Sequence, residues 1–114
     1  VLSSEMESRS NSYLKTLEQD LFSPPTDQAP DPELLGAMIE MGQVVKVNES
    51  VVFSALAYEQ LVDRIKNHIG SHGSITVADA RTMFDTSRKY ILPLLEYLDQ
   101  QRITQRIGDE RILR

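Results

Sequence analysis

The sequence predicts a mostly helical chain with small β hairpins, an α+β class, and three observations lead there. Five stretches carry apolar residues at helical spacing. Two pairs of β-branched runs flank short polar turns. The order helix, strand, turn, strand occurs twice, at a shift of 60 residues.

Length and composition bound the rest. A chain of 114 residues, 40% hydrophobic and 25% charged, has room for one ordinary domain or two very small ones. It has no apolar run long enough to span a bilayer and no signal-peptide pattern at its start, so a cytoplasmic protein with no membrane partner is expected. Cysteine is absent, which excludes disulfides, thiol catalysis and thiolate metal sites. Two histidines cannot build a closed zinc site, so neither metal nor cofactor is expected. The net charge of −5 is unevenly spread. Residues 1–60 hold 10 acidic and 3 basic side chains, whereas residues 61–114 hold 7 acidic and 9 basic ones. An acidic protein can thus still offer one face to a polyanion.

Residues 1–11 are polar without periodicity and read as a flexible N-terminal arm. Leu14, Leu17 and Leu21 give a short helix from about Ser12. Residues 23–32, with four prolines, form a connector. Asp31 and Pro32 then open a helix carrying Leu34, Leu35, Met38 and Met41, which Gly42 stops. A hairpin follows over 43–54. The second half reads as a helix over 56–69, a short strand at Ser74–Thr76, a helix over 77–84 with a Thr76/Asp79 capping box, and a tight turn at Asp85–Thr86. A long helix from Ser87 to about Gln101, containing Pro93, leads into a closing hairpin. A helix-turn-helix with a β-ribbon attached is a winged helix. The organisation is therefore an arm (1–11), a reduced first winged-helix unit (12–54) and a complete second one (55–114).

Catalysis is hard to build from these residues. Glu96 and Asp99 share a helix face, but exposed carboxylate pairs are ordinarily just solvated. His68 and His72 stand four apart in a segment that Gly70 and Gly73 are expected to break, with no third ligand evident. No serine has an evident His/Asp partner and no glycine-rich phosphate loop occurs. No enzyme is expected.

The basic residues are more informative. Thr86, Ser87, Arg88, Lys89 and Tyr90 cluster at the start of the long helix, where free N–H groups and the helix dipole favour phosphate. Arg106 and Arg111 lie on opposite strands of the closing hairpin, where a wing meets an adjacent backbone. Arg81 and Arg102 are secondary candidates, and Arg64 and Lys66 read as solvating charges. At the 60-residue shift, Arg88, Lys89 and Arg111 become Gln28, Ala29 and Val51. The first unit therefore reads as support and the second as the nucleic-acid-binding unit.

The string Thr86-Ser87-Arg88-Lys89-Tyr90-Ile91-Leu92-Pro93-Leu94-Leu95-Glu96-Tyr97-Leu98-Asp99, followed by Thr104, Arg106, Gly108, Asp109, Arg111 and Leu113, resembles the C-terminal winged-helix region of bacterial selenocysteine-specific elongation factors, the SelB family. Residues 13–73 are similar to the preceding winged helix, with a connector at 23–32 shorter than the family's. The resemblance implies an RNA-binding piece of a GTP-binding translation factor that delivers selenocysteinyl-tRNA to the ribosome at a recoded UGA. In that family the last winged helix holds the selenocysteine insertion hairpin (SECIS) of the mRNA. It implies a monomer whose Arg88, Lys89, Arg106 and Arg111 grip the RNA loop backbone, with an extruded base held by Arg88 or Tyr90. Two other readings of the fold are a duplex-DNA-binding regulator and a winged helix used for protein docking.

Overall fold

The computed structural model describes residues 3–114. They form two compact units, one ending at Tyr58 and the other Glu59–Arg114, so the division falls a few residues beyond the expected one at 54/55.

In the first unit, α1 (Ser4–Glu18) starts well before Ser12. The expected arm is therefore helical from Ser4 onward, while Val1 and Leu2 lie outside the described residues. Local chemistry explains the difference. The Ser3 hydroxyl accepts the Met6 N–H, Glu5 and Glu7 sit against the positive helix end, and the Ser10 hydroxyl bonds back to the Glu7 carbonyl. None of this shows as an apolar stripe. Leu21 falls in the turn beyond the helix.

After the non-helical connector, α2 (Pro32–Glu40) begins as expected, with Asp31 as N-cap accepting the Leu34 N–H at 3.2 Å. An Arg9 hydrogen bond holds the Asp31 carboxyl below its ordinary range. Strands β1 (Val44–Lys46) and β2 (Val52–Ser54) pair antiparallel, and Asn48 Oδ1 organises their loop by accepting from the Ser50 and Val51 N–H groups. Tyr13, Leu17, Leu34, Met38, Val44 and Val52 form the core.

Helix α3 (Ala55–His72) runs straight through Gly70, so the predicted break there does not occur; Gly73, at φ +90°, ends it. Strand β3 (Ile75–Thr76) leads into α4 (Val77–Phe84), whose capping box is present in both directions. Asp85, left-handed at φ 48°, turns the chain into α5 (Arg88–Gln100), which accommodates Pro93. Strands β4 (Thr104–Ile107) and β5 (Glu110–Leu113) close on the two-residue turn Gly108–Asp109, with φ positive at Gly108. Beyond the predicted hairpin, β3 adds to β5, giving a three-stranded sheet of order β3-β5-β4. Ile75, Ala80, Phe84, Ile91, Leu94, Leu95 and Leu98 are buried in this unit.

The repeat is real at the level of backbone and burial. Leu34 and Met38 of α2, like Leu94 and Leu98 of α5, are fully buried. Gln43 N–H donates to the Met38 carbonyl and Ile103 N–H to the Leu98 carbonyl, each at 3.0 Å. Both helices end on a left-handed residue, Gly42 at φ 75° and Arg102 at φ 61°. Among the described residues the first unit has no counterpart of β3 and α4.

Candidate nucleic-acid interface

The second unit brings the start of α5 next to the wing, and the sheet register is the reason. Thr76, the N-cap of α4, pairs with Glu110 of β5, and Ile75 pairs with Arg111. The Ser74 hydroxyl reinforces this seam by donating to Glu110 Oε1 at 2.8 Å. Across β5, Arg111 stands opposite Arg106 and Glu110 opposite Ile107. A cleft of about 330 Å³ results, lined by Arg88 and Glu96 of α5, Arg106 of β4, Arg111 of β5, Thr76 and Asp109.

The site residues divide by how they are held. Arg88 is exposed and reaches the cleft from the first turn of α5. Arg106 is exposed too, its Nε donating to the Gly108 carbonyl at 2.8 Å, which holds the guanidinium near the wing tip. Ser87 is the N-cap of α5, yet its side chain makes no capping bond. The carbonyl of Ser87 accepts the Tyr90 and Ile91 N–H groups. Lys89 lies with its ammonium 5.4 Å from the centroid of the half-buried Tyr90 ring. Thr86 and Arg81 meet on a separate shallow cleft with Asp85, where the Thr86 N–H donates to the Arg81 carbonyl.

Arg111 stands differently from the expectation of an exposed wing cation. It is only 2% exposed. Its Nε donates to Asp99 Oδ2 at 3.3 Å, and its Nη2, also 3.3 Å from that oxygen, makes no hydrogen bond. Asp99 in turn accepts the buried Thr104 hydroxyl at 2.6 Å. The three side chains tie α5 to both wing strands, so Arg111 anchors the wing from within. The Val51 position of the first hairpin, 60 residues earlier, is buried as well. Asp99 is thus a structural acceptor, unlike Glu96, which is exposed.

Arg102 lies at the far end of α5, in a third cleft with Lys66 and Arg114. Arg64 does more than solvate α3. Its Nη2 donates to the Met83 carbonyl at 2.8 Å and its guanidinium covers the Phe84 ring at 4.6 Å. The imidazoles of His68 and His72 stack at 4.2 Å within the unbroken helix, and His68 Nε2 stands 3.8 Å from Asp79. Among the described residues no three His, Asp or Glu side chains are grouped to hold a metal ion, and no helix is long and apolar enough to cross a membrane. Sequence reasoning did not place Thr76, Glu96 and Asp109 at the cleft; the pairing of β3 with β5 brings Thr76 beside the wing, while Glu96 follows Arg88 and Leu92 along one face of α5.

The family described as elongation factor SelB, winged helix, matches residues 67–113. The selenocysteine-specific elongation factor of Desulfomicrobium baculatum is 32% identical over 82 residues, covering 72% of this chain and 13% of its own length. The mRNA-binding domain of elongation factor SelB from E. coli, solved in complex with SECIS RNA, superposes with a TM-score of 0.74 at 18% identity over 99% of both chains. The crystal structure of a bacterial selenocysteine-specific elongation factor, EF-Sec, gives a TM-score of 0.78 at 22% identity, over 99% of this chain and 20% of that one. The chain thus spans only a small part of the full-length factors it resembles.

Proposed function

Because this chain belongs to the SelB elongation-factor family through its winged-helix region, we propose that it is the piece that holds an mRNA hairpin of the SECIS type, through its second unit. One observation carries the reading: Arg88 and Arg106 arrive from different elements at one cleft, beside the start of a 13-residue helix. A-form RNA has a major groove too deep and narrow for a recognition helix, so the unit reads hairpin shape and unpaired bases. The start of α5, with the Ser87 hydroxyl not engaged in capping, receives a backbone phosphate. Arg88, Lys89 and Arg106 grip the flanking backbone. Of the two partners for an extruded base, Arg88 is the exposed one, whereas Tyr90 already has the Lys89 ammonium over its ring. Thr86 and Arg81 border the contact, and the acidic first unit discourages non-specific RNA.

The role assigned to this chain is binding without catalysis. GTP hydrolysis, selenocysteinyl-tRNA and the ribosome belong, in this reading, to the whole factor, which acts in the cytoplasm and carries this region as a monomeric tether.

The test is binding of the chain to a SECIS-type RNA hairpin and to duplex DNA of equal length, across a salt series. Three exposed cations predict hairpin-selective binding with a log–log salt slope of about −2 to −3. Arg88→Ala should weaken hairpin binding by about 1–3 kcal/mol. Equal or tighter binding to duplex DNA would replace this reading with that of a DNA-binding regulator. A folded chain that binds neither would leave a protein-docking module.

A further inference from the structure

We propose that Lys66, Arg102 and Arg114 form a second RNA-backbone site, at the end of α5 away from the Arg88–Arg106 cleft. The three cations come from α3, from the residues just after α5 and from the end of β5, and they border one cleft of about 400 Å³. Ile103 and Leu113 supply its apolar wall, and no aspartate or glutamate side chain lines it. This contrasts with the first cleft, where Glu96 and Asp109 accompany the arginines. Among the described residues, the ion pairs of Arg9, Lys46 and Arg111 lie elsewhere.

The backbone adds an independent argument. Arg102 sits at φ 61°, a left-handed conformation that glycine adopts freely and a long side chain does not. The first unit places Gly42 at the same point of the same turn. Arg102 therefore carries a guanidinium where the turn alone asks for glycine. The C-terminal dipole of α5 favours a cation there, but it does not account for Lys66 and Arg114 at the same cleft. The Arg114 N–H donates to the Ile103 carbonyl at 3.2 Å, which fixes the last cation beside the turn that bears Arg102. Arginine forks on an apolar floor suit a ribose-phosphate strand, with its evenly spaced phosphates and sugar faces.

Helix α5 has 13 residues, so its two ends are about 20 Å apart, roughly the width of an RNA stem. A hairpin loop seated at Arg88 leaves the far cleft to a different stretch of RNA. Only the choice of RNA as ligand rests on the function proposed above.

The experiment uses the full chain and a fluorescein-labelled, loop-free 12-base-pair RNA duplex, titrated with unlabelled SECIS-type hairpin present at saturation. The duplex should still bind, forming a ternary complex. In the variant Lys66→Gln/Arg102→Gly/Arg114→Gln, duplex binding should weaken tenfold or more and the salt slope should flatten by about 2 to 3. Hairpin affinity should stay within twofold. Arg102→Gly alone should melt no lower than the wild type, which separates lost binding from lost folding. Complete displacement of the duplex by hairpin would overturn the proposal, as would unchanged duplex binding by the triple variant. So would displacement of the duplex by polyglutamate of matched charge at equal or lower concentration, which would point to an acidic protein partner. If the duplex binds through these residues while the hairpin does not bind at all, the second site stands and the hairpin reading falls.

Discussion

Replacing Arg111 distinguishes an anchor within the wing from an RNA contact on it. Arg111→Met keeps length and apolar bulk but removes the guanidinium from Asp99. Breaking a fully buried ion pair by removing one partner costs about 3–5 kcal/mol. Here Asp99 retains 24% side-chain exposure and its bond from Thr104, so part of that cost is relieved by water. The substitution also removes a like charge directly opposite Arg106, a small gain. The expected net loss is about 2 kcal/mol. For a unit of this size that lowers Tm by roughly 8–16 °C, at about 4–8 °C per kcal/mol. The double variant Asp99→Asn/Arg111→Met should lose less than the sum of the single ones, because no uncompensated charge is left behind. Circular-dichroism melts measure the stability, and hairpin titrations at several salt concentrations measure the contact, at a temperature where every variant is folded. Arg111→Met should leave the salt slope unchanged, while Arg106→Gln should reduce it by about 1 with little change in Tm. A melt within 2 °C of the wild type, together with a slope lower by one, would refute the assignment and return Arg111 to the RNA face.

Other expectations follow from the same structure. Leu98→Ala, at a fully buried site of α5, should cost about 2–5 kcal/mol in denaturant unfolding of the second unit. Thr76→Ala removes one half of the capping box and should cost about 1 kcal/mol by the same measurement. Pro93→Ala restores an N–H to the interior of α5 and removes the ring from the preceding turn, so it should raise Tm in the same melts. Asp31 is held below its ordinary pKa chiefly by the Arg9 hydrogen bond, with further help from the Leu34 N–H. A folded-state pKa below the unfolded one means stability that is present above about pH 4 and lost as pH falls through the lowered value. NMR titration should show the Asp31 carboxyl protonating at lower pH in the wild type than in Arg9→Ala.

Much of the fold was legible because capping and turn chemistry are local. Asp31-Pro32 and the Thr76/Asp79 box each specify a helix start from two to four adjacent residues, and both fall where expected, whereas the wing turn is one residue tighter than the expected Gly108-Asp109-Glu110 because Glu110 pairs within β5. The start of α1 was not legible, since its cap and back-bonded Ser10 leave no apolar periodicity. The run of α3 through Gly70 was not legible either, because a glycine weakens a helix by about 1 kcal/mol without ending it. In the candidate site, the exposed cations of α5 were readable as a cluster in sequence. The burial of Arg111 and the service of Asp99 as its acceptor depend on strand register and on a helix twelve residues away. The third strand, β3, which creates the cleft, has only two residues and no alternation to reveal its partner.

The wing turn has a further consequence. With only Gly108 and Asp109 between the strands, and Arg106 bonded to the Gly108 carbonyl, the hairpin has little slack and its outermost cation has few rotamers left to lose. Immobilising a long side chain on binding ordinarily costs about 0.5–1.5 kcal/mol. Here folding has already imposed most of that order, before any ligand arrives. The affinity of the wing should therefore depend little on temperature-driven loop motion and strongly on turn length. Lengthening the turn by flexible residues would leave every contact possible and still weaken the grip, purely through the disorder it restores.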